Sequence, residues 1–206
     1  MDYFNYHHNQ LQAEACQVKE LAKLYQTPFY CYSEATVKHH YQTLEQALKL
    51  PQKLICFAVK ANSNLAFLWI LAELGAGADV VSLGEIFRAL KAGISPAKIV
   101  FSGVGKTRQE IVYALEQKIK QFNVESAAEL ELIEAVANEL ALVANIVFRV
   151  NPDIDAKTHD KISTGKKGDK FGITFAEAAA LAEQIEPKAN LNFLGFSVHI
   201  GSQITS

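Results

Sequence analysis

The sequence has little net charge, few cysteines and no long hydrophobic run. Its 206 residues carry 20 Lys and Arg against 22 Asp and Glu, a formal net charge of −2, which gives no basic surface of the kind that binds nucleic acid. No run of about 18 apolar residues occurs, so we expect no membrane span. The first residues lack both the basic and the apolar region of an export signal, and we therefore expect a cytoplasmic protein.

The cysteines and the glycines exclude several kinds of site. The 3 cysteines, Cys16, Cys31 and Cys56, are odd in number and lack C-x-x-C spacing, which disfavours a disulfide framework and a zinc site. No G-x-G-x-x-G turn follows the first predicted strand of the sheet, so a dinucleotide site is disfavoured. The segment SGVGKT at 102–107 has Val100 where a phosphate-binding loop needs glycine, and we interpret it as a loop and a helix cap.

Half of the residues are hydrophobic, enough for a folded core, and they are distributed in a repeating pattern. Six short apolar runs alternate with amphipathic helices, as expected of parallel strands covered on both faces. The predicted strands lie at 54–59, 78–81, 99–101, 119–124, 146–150 and 194–198. The alternation predicts an α/β protein, either a doubly wound sheet or a TIM-type (β/α)8 barrel that is incomplete here, with about six of eight strands.

The predicted helix ends agree with this pattern. The S/T-x-x-E capping motif occurs four times, at Ser82 and Glu85, Thr107 and Glu110, Ser126 and Glu129, and Thr174 and Glu177. Gly75 and Gly93 follow two of the helices, where a left-handed residue is common.

The N-terminal part is predicted separately. Apolar spacing indicates a helix over 11–25, and the aromatic run at 29–32 indicates a short strand. Ser33 is a predicted cap for a second helix, which Pro51 ends.

Reactive groups are expected at the carboxyl ends of the strands in either architecture. The polar residues there are Lys60, Asp79 with Ser82, Ser102, Asn123 with Glu125, Arg149 with Asn151, and His199 with Ser202. Lys60 is either a lysine at the rim that pairs with Asp79, or an amine in a partly desolvated pocket that acts as a nucleophile toward a carbonyl. His199 is either a structural residue or one face of a site for a planar ligand, with open backbone amides at Gly201 and Ser202 for an anion.

The longest departure from the repeat lies between Asn151 and Thr174, a length typical of a lid or binding loop. Lys166 and Lys167 fit a charged loop exposed to solvent. The segments ISTG at 162–165 and KFG at 170–172 are too specific for such a loop and favour a binding role.

These segments together carry a family resemblance. FAVKAN at 57–62, GADVVS at 77–82, RVNP at 149–152 and HIGSQ at 199–203 stand in the order and spacing of the fold-type III pyridoxal-phosphate decarboxylases, which the chain resembles from about residue 27 to its end. The long loop, with His159, ISTG and KFG, is similar to the branch of that family that acts on diaminopimelate.

The resemblance implies the cofactor pyridoxal 5′-phosphate and a role for each site residue. Lys60 would be the lysine that bonds covalently to the cofactor aldehyde, His199 would stack on the ring, and Ser202 would donate to the phosphate. Asp79 and Arg149 would hold the linkage and the ring substituents in register. The implied reaction is decarboxylation of meso-2,6-diaminopimelate to L-lysine and carbon dioxide, the last step of lysine synthesis.

The resemblance also implies a longer parent protein, active as a homodimer that shares its sites. We expect residues 1–33 to be a helix and a strand that would join a β-domain absent from this sequence, and residues 34–206 to be a partial cofactor-binding barrel. The chain alone is then an inactive N-terminal fragment with open sheet edges.

Three alternatives stay open at this point. The chain could be a non-enzymatic pyridoxal-phosphate-binding barrel, or a decarboxylase of ornithine or arginine type. A metal- or phosphate-dependent barrel enzyme is disfavoured, because no cluster of His and carboxylates is predicted at the strand ends.

Overall fold

The apolar runs form a parallel sheet in a computed structural model of the chain, which describes residues 3–153, 171–186 and 188–201. The strands are β1 (Phe4–His7), β2 (Gln10–Ala13), β3 (Cys16–Gln17), β4 (Cys56–Ala58), β5 (Gly77–Val80), β6 (Ile99–Phe101), β7 (Gln121–Val124), β8 (Ala144–Val150) and β9 (Leu191–Val198). The α-helices are α1 (Val18–Tyr25), α2 (Glu34–Ala47), α3 (Leu65–Glu73), α4 (Leu83–Lys91), α5 (Arg108–Glu116), α6 (Ala127–Leu140) and α7 (Phe175–Ile185). Two 3-10 turns, Val59–Ala61 and Pro96–Lys98, complete the described elements.

The strand order decides between the two predicted architectures. The 6-stranded sheet has the order β4-β5-β6-β7-β8-β9, and each strand pairs in parallel with the next one in sequence. A doubly wound sheet reverses direction at a switch point, whereas a barrel winds one way throughout. The α/β class is confirmed, and the sequential order agrees with an incomplete barrel of TIM type.

The core lies between this sheet and the helices that connect its strands. Its largest fully buried side chains come from both layers, and they include Phe101, Phe122, Phe148, Ile86, Ile111 and Ile133. The rings of Phe101 and Phe122 lie 6.1 Å apart between neighbouring strands. This packing fixes the strands, and therefore the groups at their carboxyl ends.

All four predicted caps form, in two versions. Thr107 and Thr174 make complete capping boxes with Glu110 and Glu177. Ser82 and Ser126 also accept the expected amide hydrogen bond, but their glutamates accept from the residue before the cap, Glu85 from Val81 at 2.8 Å and Glu129 from Glu125 at 3.3 Å. The two versions differ in the backbone conformation of the cap residue. Its φ is −159° and −161° at the two serines, but −77° and −67° at the two threonines.

The N-terminal prediction is wrong in part. Only residues 18–25 of the predicted helix 11–25 are helical, because β2 and β3 form an antiparallel sheet with β1. Residues 29–32 are not a strand, since no described strand pairs with them. The second helix is confirmed, with the Ser33 hydroxyl accepting from the Thr36 amide, but it ends at Ala47, before Pro51.

Candidate functional site

Four of the five predicted site residues line one cavity. Lys60, Asp79, Arg149 and His199 surround a space of about 980 Å³ at the carboxyl ends of the strands. They come from four different places in the sequence, and the parallel sheet brings them together because all its carboxyl ends share one side. Ser202, the fifth residue, lies outside the described residues, as do His159 and residues 162–165 of the predicted binding loop.

Lys60 occupies a 3-10 turn that follows β4 directly. Buried Val59 fixes one side of this turn, and the Asn62 amide donates to the Val59 carbonyl at 3.0 Å. The side chain of Lys60 is exposed, so the expected desolvation is not observed. The predicted pairing with Asp79 is not observed either, since the ion pairs between described residues include none with Lys60. The amine is thus accessible from the cavity, and no carboxylate among the described residues forms an ion pair with it.

Asp79 is held by a chain of hydrogen bonds across three strands. The Ser102 hydroxyl donates to the Asp79 carboxylate at 2.5 Å, and the Asn123 amide nitrogen donates to Ser102 at 2.8 Å. Gln121 in turn donates to Asn123 at 2.8 Å. Because each donor points toward the next acceptor, the carboxylate of Asp79 is held in one orientation.

Arg149 is fixed by a buried carboxylate and an aromatic ring. Its Nη1 donates to Glu125 Oε1 at 2.9 Å, and the Glu125 side chain is only 1% exposed. Its guanidinium carbon lies 5.0 Å from the centre of the Phe171 ring. Phe171 belongs to the predicted KFG motif, so this part of the motif does contribute to the site.

A second buried ion pair is bonded to the backbone of two residues that line the cavity. Lys106 Nζ donates to Glu129 at 2.6 Å and to the carbonyls of Gly103 and Asn123 at 2.7 and 2.9 Å. Burial raises the pKa of the Glu129 carboxyl, and the Lys106 cation opposes that rise. Sequence reasoning took Lys106 as part of a loop and missed its burial, because nothing in SGVGKT marks a lysine that turns inward.

Ser197 is a further cavity residue that sequence reasoning missed. Among the buried side-chain polar atoms of the described residues, its hydroxyl is the one without a hydrogen-bond partner. Ser197 precedes His199 by two positions, and side chains two apart on an extended chain share a face, so this spacing could have found it. An orphaned hydroxyl in a cavity is a ready contact for a polar ligand.

The environment of His199 keeps its imidazole neutral. Partial burial lowers the pKa of His199, and the cations Arg149 and Lys60 lower it further, while Asp79 and Glu125 act in the opposite direction. Near neutral pH the ring is therefore uncharged, as suits a flat group placed against a heteroaromatic ligand.

Cys56 is a second nucleophilic side chain in the lining of the cavity. Burial raises the pKa of the Cys56 thiol to about 11, so the thiolate is scarce near neutral pH. Lys60 is left as the amine that can attack a carbonyl from this wall of the cavity.

The described residues offer neither a metal site nor a membrane-spanning helix. They contain no group of three or more His, Cys, Asp or Glu side chains arranged as metal ligands. None of their helices has the length and apolar character to cross a membrane.

Comparison with known proteins identifies the family. Residues 34–206 match the model of the pyridoxal-dependent decarboxylase family, pyridoxal binding domain. Diaminopimelate decarboxylase of Vibrio cholerae is 51% identical over 207 residues, which cover 100% of this chain and 50% of that protein. The enzyme of Haemophilus influenzae is 47% identical over 205 residues, covering 100% of this chain and 49% of its own length.

A solved structure agrees with these relatives. Diaminopimelate decarboxylase from M. jannaschii, in co-complex with L-lysine, superposes with a TM-score of 0.90 at 38% identity, over 100% of this chain and 49% of that one. The chain thus spans about half the length of the relatives it matches. The match over residues 34–206 and the shared fold place the chain in the pyridoxal-dependent decarboxylase family, to whose pyridoxal binding domain it corresponds.

Proposed function

We propose that the full-length protein holds pyridoxal 5′-phosphate in the cavity at the strand ends and decarboxylates meso-2,6-diaminopimelate to L-lysine. The observation that carries the proposal is the convergence of Lys60, Asp79, Arg149 and His199 on one cavity of a chain that belongs to the pyridoxal-dependent decarboxylases. When bound, pyridoxal phosphate withdraws electrons from the α-carbon of an amino acid, which allows the bond to its carboxylate to break.

The donor set of the cavity fits this cofactor. An aldehyde needs an accessible primary amine, and Lys60 is exposed at the cavity wall. Anionic oxygens need N–H donors, and the guanidinium of Arg149 has one recorded acceptor among the described residues, Glu125. The unpartnered hydroxyl of Ser197 supplies a further polar contact in the same space.

Each residue then has a definite task. Lys60 would hold the cofactor through its aldehyde group, since its amine is exposed at the cavity wall. Arg149 would bind an anionic oxygen, and His199 would cover one face of the ring as a neutral imidazole. Asp79 would hold a cationic nitrogen by its oriented carboxylate. Ser202 donating to the phosphate remains part of the proposal.

The substrate is proposed from the relatives. The two curated relatives described above, at 47–51% identity, are both diaminopimelate decarboxylases. A product with the shape of L-lysine is consistent with the lysine present in the M. jannaschii structure.

The substrate proposal is tested by measuring carbon dioxide release from the full-length protein. Incubation with meso-diaminopimelate, ornithine and arginine in parallel should give release with the first and little with the other two. Preference for ornithine or arginine would overturn the substrate, and cofactor binding without release from any of the three would favour a non-enzymatic binding protein.

The lysine is tested by substitution in the same protein. Lys60→Ala should abolish both the visible absorption band of the bound cofactor and carbon dioxide release. Lys91→Ala is the matched control, since Lys91 is an exposed lysine of α4 outside the cavity, and it should change neither. Decarboxylation that survives Lys60→Ala would remove Lys60 from the mechanism.

Three further properties belong to the same proposal. We propose a domain boundary near residue 33, which the start of the family match at residue 34 supports. We propose a homodimer for the full-length protein, to be checked by light scattering.

We also propose a cytoplasmic location. The free state of Cys16, Cys31 and Cys56 supports it, since oxidising compartments favour disulfides.

A further inference from the structure

Glu125 connects three elements around the cavity although it is not one of the groups assigned to the reaction. It follows β7 directly, and its side chain is 1% exposed. Its Oε1 accepts from Arg149 Nη1 at 2.9 Å and from the Gly103 amide at 3.0 Å, and its Oε2 accepts from the Gly172 amide at 3.2 Å. One carboxylate therefore ties the loop after β6, the end of β8 and the segment that precedes α7.

The position of the Gly172 amide is itself constrained. Gly172 has φ of +79°, and a Cβ atom there would stand 2.9 Å from the Arg149 carbonyl oxygen. Ile173 then donates to the Arg149 carbonyl and accepts from the Asn151 amide, both at 2.9 Å. The segment 172–173 is thus bonded both to the backbone of Arg149 and to the Glu125 carboxylate that holds its guanidinium.

The buried charge of Glu125 has a consequence for Arg149. A carboxylate without solvent needs a cation and full hydrogen bonding, so the guanidinium is drawn toward Glu125 rather than left free to follow solvent. Phe171 covers the guanidinium at 5.0 Å, which restricts it further. The remaining N–H donors of Arg149, which have no acceptor among the described residues, are then held at the cavity.

We propose that Glu125 is a positioning residue, which acts through Arg149 to place guanidinium N–H donors against an anionic oxygen of the cofactor. This inference rests on the proposed function, because it requires pyridoxal phosphate in the cavity. Glu125 itself does not touch the cofactor in this account. Its substitution should weaken cofactor binding only as long as Arg149 is present.

The test is a double-mutant cycle on the dissociation constant of pyridoxal phosphate, measured by equilibrium dialysis of the full-length apoprotein. Glu125→Gln keeps the volume but replaces one acceptor by an amide donor, and we expect about tenfold weaker binding. Arg149→Gln should have a similar effect, and the double variant should bind within about twofold of Arg149→Gln alone.

Glu134→Gln is the matched control. It removes a carboxylate that is also part of an ion pair, but Glu134 and its partner Lys188 both lie outside the lining of the cavity. It should lower the melting temperature and leave the dissociation constant within about twofold of the unmodified protein. Glu125→Asp keeps the charge with a shorter reach, and should restore part of the affinity lost in Glu125→Gln.

The outcomes separate this inference from the proposed function. Binding by a folded Glu125→Gln protein at the unmodified affinity, or multiplied effects in the double variant, would overturn the positioning role alone. If the unmodified full-length protein does not bind pyridoxal phosphate, the proposed function fails first. If Glu125→Gln does not fold, the cycle is run with Glu125→Asp and Arg149→Gln, and multiplied effects there overturn the inference equally.

Discussion

Arg149 shows how one residue acquires its role from its surroundings. The sequence places it at the end of a strand, where it is one of several polar candidates. The structure adds the buried Glu125 carboxylate, the Phe171 ring and the neighbouring imidazole of His199, on which Arg149 acts electrostatically. The position of Arg149 at a strand end was predictable, because it follows from the periodicity of the apolar runs. Its partners were not predictable, because their contacts depend on how far each strand extends past its neighbours.

The same neighbourhood gives a prediction about pH. Because the pKa of His199 is lowered in the folded protein, the unfolded state binds this proton first, and the contribution of His199 to stability falls as the pH drops below the ordinary histidine range. Arg149→Gln removes one of the two cations that lower this pKa, so the His199 titration should move toward higher pH. NMR titration of the His199 imidazole in the full-length protein measures it.

The control for that titration is Arg108→Gln, which removes an exposed cation paired with Glu139 away from the cavity. It should leave the His199 titration where it was. An unchanged titration in Arg149→Gln would contradict the electrostatic effect of Arg149 on the pKa of His199.

The helices and strands were predicted correctly where the sequence signal is local, and incorrectly where it is not. All six strands of the parallel sheet and all four caps were predicted, because continuous apolar runs and S/T-x-x-E motifs act within a few residues. The N-terminal prediction failed because β2 pairs with β1 and β3 pairs with β2 in an antiparallel sheet, contacts that helical spacing cannot reveal. The aromatic run at 29–32 has β propensity but no strand beside it in the described structure.

Gly172 is the backbone position most directly tied to the site. Gly172→Ala combines a left-handed φ with a Cβ atom 2.9 Å from the Arg149 carbonyl oxygen, so we expect a loss of about 1–3 kcal/mol in the free energy of unfolding. Urea unfolding of the full-length protein measures it. Gly93→Ala is the control, with φ of +91° and nothing within 4 Å of the added Cβ, and it should cost less. Equal losses in the two variants would show that crowding against Arg149 is unimportant.

At the scale of the whole molecule, the parallel six-stranded sheet has two open edges within the described residues. β4 and β9 each pair with one neighbour, β5 and β8 respectively. Near the β9 edge Phe175, Phe196 and Val198 are exposed, Val198 by 62%. Open edges with exposed apolar side chains are templates for association with further protein. The fold class was predictable from the order of the elements. The amount of apolar surface exposed near the β9 edge was not, because it depends on how the strands and helices pack.

This geometry predicts that the 206-residue chain, expressed alone, self-associates or has poor solubility. Sedimentation velocity over a range of concentrations should show species larger than a monomer. A chain that remains monomeric and melts cooperatively would contradict the prediction and would mean that the two edges are closed in solution.

If Lys60 is the amine that bonds to pyridoxal phosphate, borohydride reduction will attach the cofactor to it permanently. The full-length protein is incubated with pyridoxal phosphate, reduced with borohydride, digested and analysed by mass spectrometry. We expect the reduced pyridoxyl group on the peptide that contains Lys60. A label on a different side chain, or no label at all, would contradict it.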